Sequence, residues 1–281
     1  MSFPFCRGAA EFGRNRSFRL QPIQPEPFLT QPHSDPTGRV TIPLPDGPCP
    51  AYLLAPATPG RWPAVVFYGD AGGLRPAMVG MAQRLANAGF VVLLPDPYYR
   101  YGPYPTLVPR EVFQGDVMAI LGPLMATTGN DKAAEDAEAL LRYLDATGRV
   151  VEGGQVGAVG FCMGGGMAIA AAAAVPGRFV AVASFHGGNL ATDDPASPHR
   201  RVGRLQAELY AACADQDPSC PPGMVARLDT ALSEAGVDHR IETYAGAAHG
   251  WMVPDFPVHD PVAAERGWDA LLALFRRRLQ A

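Results

Sequence analysis

A chain of 281 residues, 48% hydrophobic and 18% charged, has the balance of a globular protein with a sizeable core. Its formal net charge of −4 excludes the broad positive field that nucleic-acid or membrane-surface binding needs, so the expected partner is a small molecule. Cysteines at 6, 49, 162, 213 and 220 fit neither a zinc knuckle nor a disulfide scaffold, and no stretch is long and apolar enough to span a bilayer. They read as free thiols of a reducing, cytoplasmic compartment.

Residues 1–36 are rich in Pro, Gln and Arg and show no periodicity, which predicts an extended or poorly ordered arm ahead of one domain over residues 37–281. The segments "GRVTIPLPDG" and "PAYLLAP" alternate around a "PDG" turn and predict a hairpin of edge strands. From Pro63 onward, apolar runs too short for helices alternate with segments of helical period. "AVVFYG" and "FVVLLPD" flank the helix "PAMVGMAQRLANAG". After the helix "DKAAEDAEALLRYLDATG" come the strand "QVGAVGF", the helix "MGGGMAIAAAAAVPG" and the strand "FVAVASF". The strand "RLQAELYAAC", the helix "PGMVARLDTALSEAG", the strand "HRIETYAG" and a last helix from Asp260 close the chain. This order predicts a single α/β domain, a mostly parallel twisted sheet with helices on both faces. The connection over residues 96–130, with its "PDPYYRYGPYP" cluster, is long enough to form a pocket wall or lid.

The stretch "AVGFCMGGGMAIA" places Cys162 at the point where a strand turns into a helix. A residue at the tip of so sharp a turn needs small neighbours two before and two after, and Gly160 and Gly164 stand there. The spacing is that of a nucleophile elbow with sulfur in place of the commoner hydroxyl. The following helix directs its N-terminal dipole at the sulfur, and the Met163 N–H faces a developing oxyanion. In elbow enzymes an acid and then a histidine follow the nucleophile, each after a later strand. "ACADQDPSCPP" offers Asp215 and Asp217, and "YAGAAHGW" offers His249. His186, in "SFHGG", also ends a strand but precedes both acids, and His33, His199, His239 and His259 lie in polar or proline-rich surroundings. No H-E-x-x-H marks a zinc site, and neither a G-x-G-x-x-G nor a P-loop lysine marks a nucleotide, so no metal or cofactor is expected.

Together "GFCMGG", "DQDPSCPP" and "AAHGW" resemble the ordered motifs of the dienelactone hydrolases, the carboxymethylenebutenolidase family of α/β-hydrolases, from about Pro63 to the C-terminus. The resemblance implies a cysteine hydrolase of esters or lactones working through a thioester, with Cys162 as nucleophile and His249 as base. It favours Asp217, four residues before Pro221, as the acid and leaves Asp215 as runner-up. In "YGDAGG" it implies Asp70 as the hydrogen-bond partner of the resting thiol, one methylene shorter than the family's glutamate, and the Ala71 N–H as the second oxyanion donor. In "PDPYYR" it implies Arg100 as a clamp for a substrate carboxylate, with Tyr99 and Trp251 as further substrate contacts. Where the diene-lactone enzymes carry another arginine after the histidine, this chain has Val253, which points to a more apolar pocket lined by tyrosines. The alternatives are a general short-chain carboxylesterase and a non-catalytic thiol sensor, the latter needing Cys213 or Cys220 as resolving thiol. The expected assembly is a monomer or homodimer.

Overall fold

A computed structural model describes residues 38–280, and the arm expected over residues 1–36 lies outside the described residues. The chain first forms a hairpin, β1 (Arg39–Leu44) and β2 (Gly47–Leu54), with Gly47 at φ 132° in its turn. The apolar runs then become the strands β3 (Ala64–Tyr68), β4 (Val91–Pro95), β5 (Val156–Phe161), β6 (Phe179–Phe185), β7 (Glu208–Gln216) and β8 (His239–Ala248). They form one sheet in the order β1-β2-β4-β3-β5-β6-β7-β8, antiparallel at the hairpin end and parallel from β4 onward. Strands covered on both faces have no need to alternate polar and apolar residues, which is why the central ones read as unbroken apolar runs.

The helical-period segments become α1 (Pro76–Asn87), α4 (Asn130–Ala146), α5 (Met163–Ala174), α6 (Pro222–Glu234) and α7 (Pro261–Leu279). Successive residues of a strand point to opposite faces, and the core divides accordingly. Val65, Phe67, Val92 and Val159 pack with α1 and α7, whereas Val66, Leu93, Ala158 and Val182 pack with α4, α5 and α6.

The long connection after β4 carries two short helices, α2 (Pro109–Gln114) and α3 (Val117–Met125). Their inner side chains, Val112, Leu121 and Leu124, form a third apolar cluster with Tyr98 and Leu107, and this cluster packs on Ala71 and Met163. The connection, expected as a pocket wall or lid, is a wall over Ala71 and Met163, the positions expected to donate to the oxyanion. No helix among the described residues is long and apolar enough to cross a membrane.

Candidate active site

The site lies at the carboxyl ends of β3, β5, β7 and β8, where the loops leave the sheet. Cys162 follows β5 and holds φ 55°, ψ −119°, a strained conformation for a residue with a side chain. The glycines around it explain how the turn is tolerated. A Cβ on Gly160 would overlap the Gly164 carbonyl, and one on Gly164 would overlap the Tyr68 and Gly69 carbonyls, so the elbow helix sits directly against the end of β3. The Cys162 N–H is bonded twice, to the Phe185 carbonyl at 3.0 Å and to His186 Nδ1 at 3.2 Å.

Cys162, His249 and Asp217 are brought together. His249 Nε2 lies 3.0 Å from the Cys162 sulfur, and its Nδ1 lies 2.6 Å from Asp217 Oδ2. Burial by itself would lower the imidazole, but the hydrogen bonds to Asp217 and Cys162 outweigh it and push His249 up to about 10. Burial also opposes the Asp217 charge, yet its bonds to His249 and Ser219 hold the carboxyl below the ordinary aspartate range. Asp215 is exposed and caps the Gly246 N–H at 2.8 Å, so it takes no part in this chain of contacts.

Two neighbours complete the constellation. The Ser219 hydroxyl donates to Asp217 Oδ1 at 2.6 Å and lies 3.2 Å from His249 Nδ1, while its N–H donates to the same carboxylate oxygen at 2.8 Å. The Asp217 carboxylate accepting the Ser219 N–H forms an Asx turn, and the serine of "DPS" adds its hydroxyl to the same oxygen. His186 is fully buried 5.5 Å from the His249 ring. Because its Nδ1 accepts an amide proton, its own proton sits on Nε2; burial, with His249 nearby, holds it well below the ordinary histidine range.

The Met163 and Ala71 N–H groups are free of hydrogen-bond partners among the described residues. Met163 is the first residue of α5, whose amide has no acceptor within the helix. The Asp70 carbonyl accepts from the Gly73 N–H at 3.2 Å in a tight turn, which points the Ala71 N–H of that same peptide the opposite way. The Tyr98 hydroxyl donates to the Ala71 carbonyl at 2.8 Å, and the Tyr104 hydroxyl accepts from the Leu74 N–H at 3.1 Å.

Four expected site residues are placed differently. Asp70 does not contact the thiol. Its Oδ1 and Oδ2 accept from the Arg75 guanidinium at 2.6 and 2.8 Å, because the shorter side chain finds a buried cation on its own loop. Arg100 pairs with both oxygens of Asp136, at 3.0 and 2.8 Å, and with Asp46 at 2.5 Å, which occupies the guanidinium edges a ligand carboxylate would need. The Tyr99 hydroxyl donates to the same Asp136 at 2.9 Å, and its ring lies under the Arg100 guanidinium. Trp251 is fully buried, stacked on Tyr244 at 4.3 Å and edge-on to Phe185, so it is a core residue behind His249.

Among the described residues no group of three or more His, Cys, Asp or Glu side chains is arranged to hold a metal. Cys49, Cys162, Cys213 and Cys220 are free thiols, and all but Cys162 are buried.

An open, mostly parallel sheet with an elbow after its central strand and a histidine after its last strand defines the α/β-hydrolase class. The chain belongs to the dienelactone hydrolase family, whose sequence profile matches residues 49–279, and it is a hydrolase. A putative carboxymethylenebutenolidase of Synechocystis is 27% identical over 247 residues, 87% of this chain and 98% of that one. A probable 2-oxo-3-(5-oxofuran-2-ylidene)propanoate lactonase of Bradyrhizobium is 29% identical, covering 82% of this chain and 89% of its own. The crystal structure of a putative dienelactone hydrolase from Klebsiella pneumoniae shares the fold with a TM-score of 0.75 at 23% identity, over 85% of this chain and 97% of that one.

Proposed function

We propose that the protein hydrolyses uncharged esters or lactones through a thioester on Cys162. The observation that carries this reading is the unbroken run from sulfur to His249 Nε2 at 3.0 Å and from Nδ1 to Asp217 at 2.6 Å. His249 takes the thiol proton, and the sulfur attacks the carbonyl carbon. The oxyanion is held by the N–H groups of Met163 and Ala71. As the intermediate collapses, the carbon–oxygen bond of the ester breaks and His249 protonates the departing alkoxide. Water then gives a proton to His249 and its oxygen to the thioester carbon, and the thiolate leaves and recovers that proton. Asp217 fixes the imidazole tautomer and faces the imidazolium in each half.

The lactonase among the relatives has an anionic name, but two features here favour a neutral substrate. Arg100 is neutralised by two carboxylates, and Val253, fully buried, stands where a second arginine is expected. The wall over the oxyanion donors is the apolar cluster of Tyr98, Leu107, Val112, Leu121 and Leu124. A carboxylate buried there would lack a partner, at a cost of several kcal/mol. This is the pocket of a short-chain carboxylesterase more than of a diene-lactone enzyme. The thiol-sensor alternative is less favoured, because Cys162 faces a base while Cys213 and Cys220 are buried free thiols. A monomer or homodimer in a reducing cytoplasm fits the free thiols.

The test compares an aryl butyrate with the aryl hemisuccinate carrying the same leaving group, on wild type and Cys162→Ala. The neutral ester is expected to react with a kcat/KM about tenfold higher or more, and the variant to be inactive. Turnover by Cys162→Ala at the wild-type rate refutes the nucleophile, and preference for the hemisuccinate refutes the neutral pocket.

A further inference from the structure

Arg75 is 3% exposed and sits at the start of α1, in the loop that carries Ala71. One edge of its guanidinium donates to both oxygens of Asp70. From the other, Nε donates to Asp255 Oδ2 at 2.7 Å and Nη2 to Asp255 Oδ1 at 2.9 Å. A weaker bond at 3.4 Å runs to the Gly73 carbonyl, so the five N–H groups are engaged. Asp70 lies beside Ala71, the proposed oxyanion donor, and also accepts the Gly72 N–H at 2.7 Å, while Asp255 lies in the loop that leaves His249. The Phe256 ring, next to Asp255, packs under the Arg75 guanidinium and edge-on against Phe113 of α2. One buried cation thus ties the oxyanion loop, the histidine loop and the wall formed by the connection after β4.

We propose that Arg75 is a positioning residue for the hydrolysis inferred above, holding the Ala71 N–H in place against the loop that leaves His249 while charge develops on the carbonyl oxygen. A planar fork that satisfies two carboxylates at once fixes both distance and angle, which a lysine ammonium cannot do. The inference rests on the cysteine-hydrolase reading and adds a requirement to it: the oxyanion donor must be held by a cation that itself touches no substrate.

The experiment uses the full chain with Arg75→Lys, Arg75→Met and Asp255→Asn. The last keeps the buried Arg75–Asp70 pair and a near-isosteric side chain, so it tests the tie even if the arginine variants do not fold. Two readouts are compared in variants that melt cooperatively: kcat and KM for a neutral aryl ester, and the rate of Cys162 alkylation by iodoacetamide, a reaction that forms no oxyanion. Loss of a whole oxyanion donor costs about 10²–10³ in kcat, so a displaced one is expected to cost about 10–100-fold in the arginine variants and several-fold in Asp255→Asn. KM and the alkylation rate are expected to stay within about twofold, because Asp217 still orients His249. Unchanged kcat in a folded variant overturns the proposal, as does a parallel fall of kcat and alkylation, which marks a structural role. Wild type that alkylates normally but turns over no ester overturns the reading of a cysteine ester hydrolase, and the proposal with it.

Discussion

Asp217→Asn separates the two candidate acids and exposes what the carboxylate does. Asp217 uses both oxygens: Oδ2 faces His249 Nδ1 at 2.6 Å, and Oδ1 accepts the Ser219 hydroxyl and N–H at 2.6 and 2.8 Å. Asparagine keeps one oxygen. The two donors of Ser219 retain it on their side, which turns the amide NH2 toward Nδ1. Nδ1 must then accept, and the imidazole proton moves to Nε2, the atom that has to receive the thiol proton. A wrong tautomer of this kind costs about 10⁴ in a serine triad; a thiol is more acidic than a hydroxyl, so we expect a loss of about 10²–10⁴ in kcat, or roughly 3–5.5 kcal/mol of barrier. Asp215→Asn removes only an exposed cap on Gly246 and is expected to leave kcat within about twofold. The assay is kcat for a neutral aryl ester at pH 7, with a thermal melt on each variant. Asp217→Asn with more than a tenth of wild-type kcat, or a large loss confined to Asp215→Asn, refutes the tautomer argument.

The elbow predicts that Cys162→Gly is more stable than Cys162→Ala by about 1–3 kcal/mol, because only glycine is at ease at φ 55°, ψ −119°, and equal midpoints in urea would remove the strain argument. His249 predicts a pH signature. Its folded value, about 10, lies above the unfolded value near 6.5, so its contribution is fully present below about pH 6.5 and is lost as pH rises toward 10. The stability gap between wild type and His249→Asn is expected to narrow over that interval, and a constant gap speaks against the charged pair. Trp251→Phe is expected to lower stability by about 1–3 kcal/mol with KM unchanged, since the indole is core packing behind the site. A changed KM at an unchanged melting temperature would return Trp251 to the substrate.

The fold was legible because its signals are local. Strands buried on both faces leave continuous apolar runs, the α4 and α7 segments show their period directly, and the elbow glycines are dictated by backbone overlap that needs no knowledge of the rest of the chain. The convergence of the Cys162, His249 and acid loops was legible for the same reason, since chain order and strand ends fix which loops meet; the preference for Asp217 over Asp215 came from the family resemblance. What was not legible is the pairing of charges across loops. Asp70 sits at the expected place, but its partner is decided by geometry around a Gly-Gly turn, where Arg75 arrives from five residues on and Asp255 from the far loop.

Arg100 carried a readable warning. Asp136 stands in the apolar phase of its helix with Ala133, Ala137 and Leu140, and an acid on a buried face needs a cation. Arginine supplies it, from a segment whose neighbouring Tyr99 hydroxyl reaches the same carboxylate. Arg75 and Arg100 are thus each held by two aspartates, and that shared arrangement has a consequence for selectivity. To reach Arg75 or the Asp136 edge of Arg100, a substrate carboxylate would have to displace a buried or half-buried aspartate before gaining a bond of equal strength, whereas a neutral acyl group would displace nothing and would cover the apolar wall formed by Leu107, Val112 and Leu121.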